Sequence, residues 1–342
     1  MNWPAYKPCL FLKNGYDERI DFVKGLCILF VVLNHCIDDL QGVLFPLWGA
    51  PAVSLFLLIQ VFHVYKKETT LDRVNWKAIF RHTIFQRVVK PFLIVQALLI
   101  VIWLVCYDLP LGEQLKLAAY KGGKGPGAYY IWVYVQFALL LPILAPILKK
   151  LNPVVCLFAF LFLSQMAETL MCVLNIPPNI YQLTFFRYLF LIFLGYWLST
   201  RPFVLTPMAL ALSLLSLLTL LFFSYTDLPL RPLFYNHPHF TTCHWPCYFY
   251  VALLLLFLYV KAYSVLSTYT AKVKGFFCTM GKESFNIFLS QMALFSILDI
   301  FPMRPWLISH AGELLGSMFY IVLCVILSTS PAWMMPLLKP RK

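Results

Sequence analysis

The chain has 342 residues, of which 61% are hydrophobic and only 12% are charged, and its formal net charge is +13. An ordinary soluble domain carries about 25% charged residues, so a soluble protein of this length cannot bury so much apolar side chain. A disordered chain is excluded as well, because such chains are poor in aromatic residues and rich in charge. We therefore expect an all-α, polytopic membrane protein.

Apolar runs of about 17–25 residues, long enough to cross ~30 Å of hydrocarbon as a helix, recur along the chain. Residues 1–20 contain no apolar core and no small-residue cleavage site, so we expect the first run to be an uncleaved anchor. The runs predict about ten transmembrane helices within a single domain of residues 1–342, at residues 22–41, 43–63, 89–107, 129–148, 153–173, 183–199, 204–224, 248–265, 283–301 and 314–337.

The basic residues are distributed unevenly between the two sides that these spans define. Of the 27 Lys and Arg residues, 21 fall on the side that holds both termini, five fall on the other side, and Arg187 lies within a span. Basic residues collect in cytoplasmic loops, so we expect both termini to be cytoplasmic. The positive charge then reflects topology and contact with membrane lipid, and it predicts no nucleic-acid partner.

The inner segment of about residues 66–90 contains the run LDRVNWKAIFRHTIFQRVVK, in which apolar and basic residues alternate. This pattern predicts a basic amphipathic helix that lies in the cytoplasmic interface. The helix is either an orientation anchor for anionic lipid or a surface that also receives an anionic cytosolic substrate. The candidate residues for binding such a substrate are Arg81, Arg87 and Lys90.

Two outer loops have unusual compositions. The run KGGKGPG, from Lys121 to Gly127, lacks the Lys-Ser/Thr ending of a phosphate-binding loop and follows no strand, so we expect a flexible outer loop. The run HPHFTTCHWPC contains residue types that ligate zinc, but their spacing matches no strong metal-binding pattern, and we assign no metal. A disulfide between its two cysteines or an ordinary loop are the other interpretations; the residues are His237, His239, Cys243, His244 and Cys247.

Ionisable side chains inside a membrane are costly and are candidates for function. Lys24 and His35 are eleven residues apart in the first span, which is three helical turns plus about 20°, so they share one face at an axial separation of ~16.5 Å. Lys24 offers a fixed cation at the cytoplasmic end, and His35 offers a titratable imidazole further out. Asp39 projects on the same face and can orient the ring. The alternative is a histidine that packs as a helix contact and a lysine that only sets orientation.

Glu168 and Arg187 lie at matching depths in consecutive antiparallel spans, near their outer ends. Because an unpaired buried charge is costly, we expect the two side chains to form an ion pair. The pair either holds the helices together or lines an outward-facing polar cavity on the acceptor side.

The run IDFVKGLCILFVVLNH, from Ile20 to His35, resembles the opening motif of the acyltransferase-three family, in which an Asp is followed by a basic residue, then by ten further residues and then by a His. Asp21, Lys24 and His35 match it. Further stretches resemble the family in the same order: QRVVKPFL, YYIWVYVQFALLLPIL, YLFLIFLGYWLS and MGKESFNIFLSQ, which begin at Gln86, Tyr129, Tyr188 and Met280.

The resemblance implies an integral membrane acyltransferase, of the O-acetyltransferase type, that modifies a cell-surface or lipid-linked carbohydrate. It implies acyl-CoA, often acetyl-CoA, as the cytosolic donor, with no tightly bound cofactor, and a location in a bacterial inner (plasma) membrane. His35 and Lys24 would be catalytic, with Asp21 and Asp39 in support. The imidazole would either deprotonate the acceptor hydroxyl or carry the acyl group.

Two positions depart from the family pattern. Gln60, Val61 and Phe62 stand where the second span usually ends in Ser, Gly and an aromatic residue, and Gln291 stands where the late motif commonly ends in His. Glutamine forms hydrogen bonds but does not transfer protons as imidazole does, so Gln291 is a further candidate without an acid–base role. The alternative functions are a transporter or flippase for lipid-linked glycans and a non-catalytic partner in a glycan-assembly complex.

Overall fold

The computed structural model describes residues 17–37, 51–66, 75–107, 110–200, 205–226, 234–235, 244–266 and 270–338, with side chains to residue 334. The described residues form helices and connecting turns, with no strand among them, which confirms the all-α prediction. The helices are α1 (Glu18–Cys36), α2 (Ala52–Lys66), α3 (Trp76–Cys106), α4 (Leu111–Lys121), α5 (Tyr129–Leu148), α6 (Pro153–Val173), α7 (Pro178–Leu183), α8 (Phe186–Thr200), α9 (Pro207–Tyr225), α10 (Trp245–Val265), α11 (Ala271–Lys282), α12 (Ser284–Leu298), α13 (Met303–Ala311) and α14 (Glu313–Leu338).

Each predicted span contains one of these helices, but the count of ten membrane crossings is not confirmed. In the described part of the chain, six helices are long and apolar enough to cross a membrane, or seven if α12 and α13, which meet at a 70° bend, form one span. The helix α1 carries several charged residues in its first turns, and α2 has only 15 residues, or ~22 Å of rise. The count of ten crossings therefore stays a prediction.

The predicted interfacial helix does not form as a separate element. Residues from Trp76 onward continue without a break into the predicted third span, so that α3 is a single helix of 31 residues. Its inner half, Ile79–Val89, is a π-helix that ends with the Lys90 N–H donating to the Phe85 carbonyl. Pro91, which has no N–H to donate, comes directly after these wider turns. The location of this segment in the cytoplasmic interface stays a prediction.

Two glycines bring α1 and α11 into close antiparallel contact. A Cβ on Gly25 would lie 2.8 Å from the Phe277 carbonyl carbon, and a Cβ on Gly281 would lie 2.8 Å from the Asp21 Cα. Real Cβ atoms essentially never approach other atoms within 3.0 Å, so only glycine allows this crossing. The contact fixes the inner half of α1, where the candidate residues Asp21 and Lys24 lie.

Two apolar cores divide the bundle. One combines α2, α5, α8 and α10 around buried side chains such as Leu58 and Phe137. The other combines the outer half of α1 with α3, α12 and α14, around side chains such as Val32, Phe92 and Met292. The helix α1 contributes to both cores, and the second core holds His35 at its edge.

Candidate functional site

The inner end of α1 is held by local ion pairs and caps. Asp17 caps the helix by accepting from the Arg19 backbone N–H at 3.0 Å, and it also pairs with the Arg19 guanidinium at 2.7 Å. One turn further, the Lys24 Nζ lies 2.8 Å from the Asp21 Oδ1. Asp21 therefore already neutralises Lys24, and an anionic ligand at this end would compete with that carboxylate.

His35 lies in the last turn of the same uninterrupted helix, which is the condition for Lys24 and His35 to share a face. Its ring is partly buried, and its centroid lies 5.7 Å from that of Phe295 on α12. Within the described ranges no group forms a hydrogen bond with the imidazole. Asp39, the predicted orienting group, lies outside the described residues.

The candidate donor-binding residues are exposed on the inner half of α3. Arg81, Arg87 and Lys90 span nine residues of this helix, or roughly 13 Å of rise. Arg87 lies close enough to Tyr134 on α5 for its charge to act on the phenol. The three basic side chains are thus arranged along the axis of one helix, whose C-terminal half packs into the bundle.

A series of aromatic side chains lies between the surroundings of Arg87 and the His35 ring. The ring centroid of Tyr134 lies 6.2 Å from that of Tyr130, which in turn lies 5.8 Å from that of Phe288 on α12. Phe288 and Phe295 are seven residues apart, and positions seven apart share one helix face. Since Phe295 contacts the His35 ring, the aromatic series ends at the imidazole.

Both glutamines that depart from the family pattern lie near this series. Gln291 is fully buried on the face of α12 between Phe288 and Phe295, and neither its amide oxygen nor its amide nitrogen has a hydrogen-bond partner in the described part of the chain. Gln60 donates to the Tyr134 carbonyl at 3.2 Å. An unsatisfied buried polar group costs about 1–3 kcal/mol, so Gln291 is a candidate for contact with a substrate.

Glu168 does not pair with Arg187 among the described residues, which corrects the sequence prediction. One oxygen of the buried Glu168 carboxylate accepts from the Tyr181 hydroxyl, and the other accepts from the Tyr235 backbone N–H at 2.9 Å. The His244 Nδ1 lies 3.4 Å from the same carboxylate. The side chain of Glu168 thus points toward Tyr181, Tyr235 and His244. Nothing in the local sequence around Tyr181 or Tyr235 signalled these contacts.

Arg187 turns toward α5 instead. It is buried at the start of α8, and its guanidinium lies 4.5 Å from the centroid of the Tyr188 ring and 5.1 Å from that of Tyr129. The Tyr188 hydroxyl accepts from the Arg187 Nη2. Arg187 therefore lies beside Tyr129, which is the chain neighbour of Tyr130 in the aromatic series.

The His- and Cys-containing loop is described only in part. His244 is 2% exposed and packs against Phe223 and Phe234, and Cys247 is buried. The other three residues of the predicted group lie outside the described residues, so the zinc and disulfide interpretations stay predictions; they are His237, His239 and Cys243.

Comparison with known families identifies the family to which the chain belongs. The model of the acyltransferase-three family, an acyltransferase domain, matches residues 17–333. This range begins at the cap of α1 and ends within α14, and it includes the Asp21, Lys24 and His35 motif. Neither the comparison with curated proteins nor that with solved structures gives a match. The chain therefore belongs to the acyltransferase-three family of membrane acyltransferases.

Proposed function

We propose that the chain transfers an acyl group, in the simplest case acetyl, from cytosolic acyl-CoA to a hydroxyl group of a cell-surface or lipid-linked carbohydrate. The observation that carries this proposal is the aromatic series from Arg87 through Tyr134, Tyr130 and Phe288 to Phe295 and His35. It connects a basic helix, suited to the phosphates of a nucleotide cofactor, with an imidazole that has no hydrogen-bond partner in the described part of the chain.

The donor occupies the inner half of α3 in this proposal. Arg81, Arg87 and Lys90 are exposed, and none of them forms an ion pair with another described residue. They offer a row of cations to the phosphates of CoA, and the acyl arm extends along Tyr134 and Tyr130 toward α12. Lys24, which Asp21 already neutralises, then fixes the inner end of α1 and exchanges partners only when a phosphate approaches.

His35 performs the chemistry in one of two ways. As a general base, its imidazole takes the proton of the acceptor hydroxyl while that oxygen attacks the thioester carbonyl carbon. The carbon–sulfur bond then breaks, and the CoA thiolate takes the proton from the imidazolium. As a nucleophile, a ring nitrogen attacks the thioester carbonyl carbon, the carbon–sulfur bond breaks, and the CoA thiolate takes the ring proton. The acceptor hydroxyl oxygen then attacks the acyl carbon, the carbon–nitrogen bond breaks, and the hydroxyl proton passes to the imidazole. Both routes require the neutral imidazole.

Gln291 supports the carbonyl in either route. An amide N–H that is aimed at the developing oxyanion stabilises the transition state, and removing one such donor typically costs ~10²–10³-fold in kcat. The buried amide of Gln291 lies one helical turn from Phe295 and has no hydrogen-bond partner within the described ranges. A thioester carbonyl at this position would accept a hydrogen bond from the Gln291 amide N–H, for which the described residues offer no acceptor.

The proposal also includes a location. The donor is cytosolic and the acceptor is outside or linked to lipid, so the proposal requires both termini in the cytoplasm and places the protein in a bacterial inner (plasma) membrane. The inner half of α3 then faces the cytosol, and the α4–α5 connection faces outward. Membrane lipid and the carbohydrate acceptor are the expected partners.

The decisive experiment measures thioester consumption by purified protein in liposomes that contain acceptor glycans. His35→Gln keeps hydrogen bonding but loses basicity, so we expect turnover to fall by roughly 10²–10⁴-fold, with no change in expression or membrane insertion. His310→Gln, an exposed histidine on α13, is the matched control and should retain full activity.

Three results would decide against the proposal or refine it. Near wild-type turnover of His35→Gln would show that the site lies elsewhere. Movement of a glycan lipid without thioester consumption would favour a flippase. Rapid-quench capture of an acylated protein, absent in His35→Ala, would assign the covalent route rather than general-base catalysis.

A further inference from the structure

The glycine-rich run from Lys121 to Gly127 is a packed element of the bundle, which corrects the expectation of a flexible loop. Its four glycines have positive φ values, a backbone region that other residues rarely adopt. A Cβ on Gly125 would lie 2.5 Å from the Ser296 Oγ and 2.6 Å from the Met292 Cγ, both on α12. The sequence of this loop is therefore suited to close packing against the helix that carries Phe295.

A buried glutamine fixes the backbone of Lys124 within this loop. The Lys124 N–H donates to the Gln96 Oε1 at 2.6 Å, and the Gln96 Nε2 donates to the Lys124 carbonyl at 2.9 Å. Gln96 itself is only 6% exposed. The Gln96 amide thus satisfies both backbone groups of Lys124, and neither hydrogen bond involves the Lys124 ammonium group.

That side chain is a cation without a carboxylate partner in the described part of the chain. The Lys124 Nζ lies 3.9 Å from the centroid of the Trp103 ring, which is itself stacked on Tyr107. The indole N–H of Trp103 is buried and has no acceptor among the described residues. The Lys124 ammonium group thus lies on the face of the Trp103 ring, whose N–H also has no acceptor in the described part of the chain.

The electrostatic setting of Lys124 favours a negatively charged ligand. Burial, and then the charge of the neighbouring Lys121, lower the pKa of Lys124 below its ordinary value. Asp299, at the end of α12, interacts with Lys121 rather than with Lys124. An anion at Lys124 would offset both the desolvation of the ammonium group and the repulsion from Lys121.

This cationic site lies close to the proposed reaction centre. The loop contacts α12 at Met292 and Ser296, while the adjacent Phe295 contacts the His35 ring. The two sites thus flank the same turn of α12, which is a helix of about 10–12 Å in diameter. A carbohydrate that is bound at one site can extend around this turn to the other.

We propose that Lys124, supported by Lys121 and Trp103, binds the anionic group of the acceptor, so that the preferred acceptor is a carbohydrate that carries a phosphate or a carboxylate. The aromatic pair of Trp103 and Tyr107 supplies a stacking surface for the sugar ring. This inference rests on the proposed acyl transfer, because it names the acceptor of that reaction. Its test therefore measures binding without any donor.

The experiment measures equilibrium binding by calorimetry, with purified protein in nanodiscs of zwitterionic phosphatidylcholine. The probes are glucose 1-phosphate, glucuronate and, as a neutral comparison, methyl glucoside. We expect the wild type to bind the two anions at least about tenfold more tightly than methyl glucoside. K124Q should remove that preference, since the Gln96 clamp uses only backbone atoms and the loop should fold unchanged. K116Q, on the exposed face of α4, should retain it.

The results separate this inference from the proposed transfer and from lipid binding. Equal binding of charged and neutral sugars by the wild type, or an unchanged preference in K124Q, would overturn the inference, whatever the thioester assay shows. In nanodiscs that contain phosphatidylglycerol, the Lys124-dependent preference for the sugar anions should persist. If K124Q instead loses only co-purified phosphatidylglycerol, as measured by mass spectrometry, then the anion is a lipid headgroup and the inference is wrong.

Discussion

Replacing Gly281 by alanine should destabilise the protein, although alanine is the better helix former. The added Cβ would overlap the Asp21 carbonyl oxygen and lie 2.5 Å from the Asp21 carbonyl carbon, whereas carbon atoms in ordinary contact are ~3.5–4.0 Å apart. The backbones of α1 and α11 must then separate by about 1–1.5 Å at their crossing. Overpacking of this kind costs about 1–3 kcal/mol, which exceeds the ~0.8–1.0 kcal/mol that alanine gains over glycine in a helix.

The same helix supplies the matched control. Gly275 lies two turns earlier on α11, and a Cβ built on it has no atom within 4 Å. Gly275→Ala should therefore raise the free energy of unfolding by the helix-propensity gain alone. Unfolding can be followed in detergent with a thiol-reactive fluorophore, because Cys27 and Cys278 are buried in the native state.

The two substitutions should shift the midpoint of thermal unfolding in opposite directions. Gly281→Ala should also raise the KM for the donor, because it displaces the turn that holds Asp21 and Lys24. A midpoint that rises in both variants would refute the close crossing of α1 and α11, and with it the placement of the inner end of the site.

Three further predictions concern buried polar groups and topology. Tyr181→Phe should lower the free energy of unfolding by about 1–3 kcal/mol, because the buried Glu168 carboxylate loses a hydroxyl donor. The control Tyr225→Phe, at a side chain that is 69% exposed, should change this free energy little. Equal midpoints of thermal unfolding in the two variants would contradict the hydrogen bond. Gln291→Leu should raise the unfolding midpoint, since it removes two unsatisfied buried atoms, and should lower turnover; a lower midpoint together with full turnover would remove Gln291 from the site. Cysteines that replace Glu113 and Lys272, which are both exposed, should react with membrane-impermeant thiol reagents from opposite sides of the membrane. The cysteine at position 113 should react from outside and the cysteine at position 272 from inside. Labelling of both from the same side would refute the topology.

The sequence predicted the helical positions well where apolar runs end at polar or proline residues. The spans at 129–148 and 153–173 coincide with α5 and α6, because Gly127 and Asn152 mark their starts. The shared face of Lys24 and His35 also depended on local periodicity alone. A regular helix converts residue spacing into direction and depth, so this part of the site could be read without any tertiary information.

The errors all concern contacts between distant segments. Matching depths predicted a Glu168–Arg187 pair, yet depth does not fix which way a side chain points around its helix axis, and Tyr181 and Tyr235 bind the carboxylate instead. The clamp of Gln96 on Lys124 joins residues 28 positions apart. No local pattern encodes such a pairing. The glycine content alone therefore predicted a flexible loop at Lys121 to Gly127, where the structure shows a packed one.

The pH dependence of anion binding offers an independent test of the cationic site. Binding requires the ammonium form of Lys124, and burial and Lys121 lower the pKa of that group in the unliganded protein. A bound anion favours the charged form and raises the pKa again. Between the lowered pKa and the ordinary value of about 10.4, binding must therefore take up a proton, and the affinity must fall as the pH rises through this window.

K124R separates this titration from every other effect of alkaline pH. A guanidinium keeps its charge well above pH 11, since its pKa exceeds 12, so glucuronate affinity in K124R should stay level across the same range. The nearest other titrating groups, Lys121 and Asp299, are unchanged in the variant and give the same background in both proteins. Calorimetry in two buffers of different ionisation enthalpy counts the protons directly: the wild type should show proton uptake on binding and K124R none. Equal proton uptake in both proteins would show that a group other than Lys124 faces the bound anion.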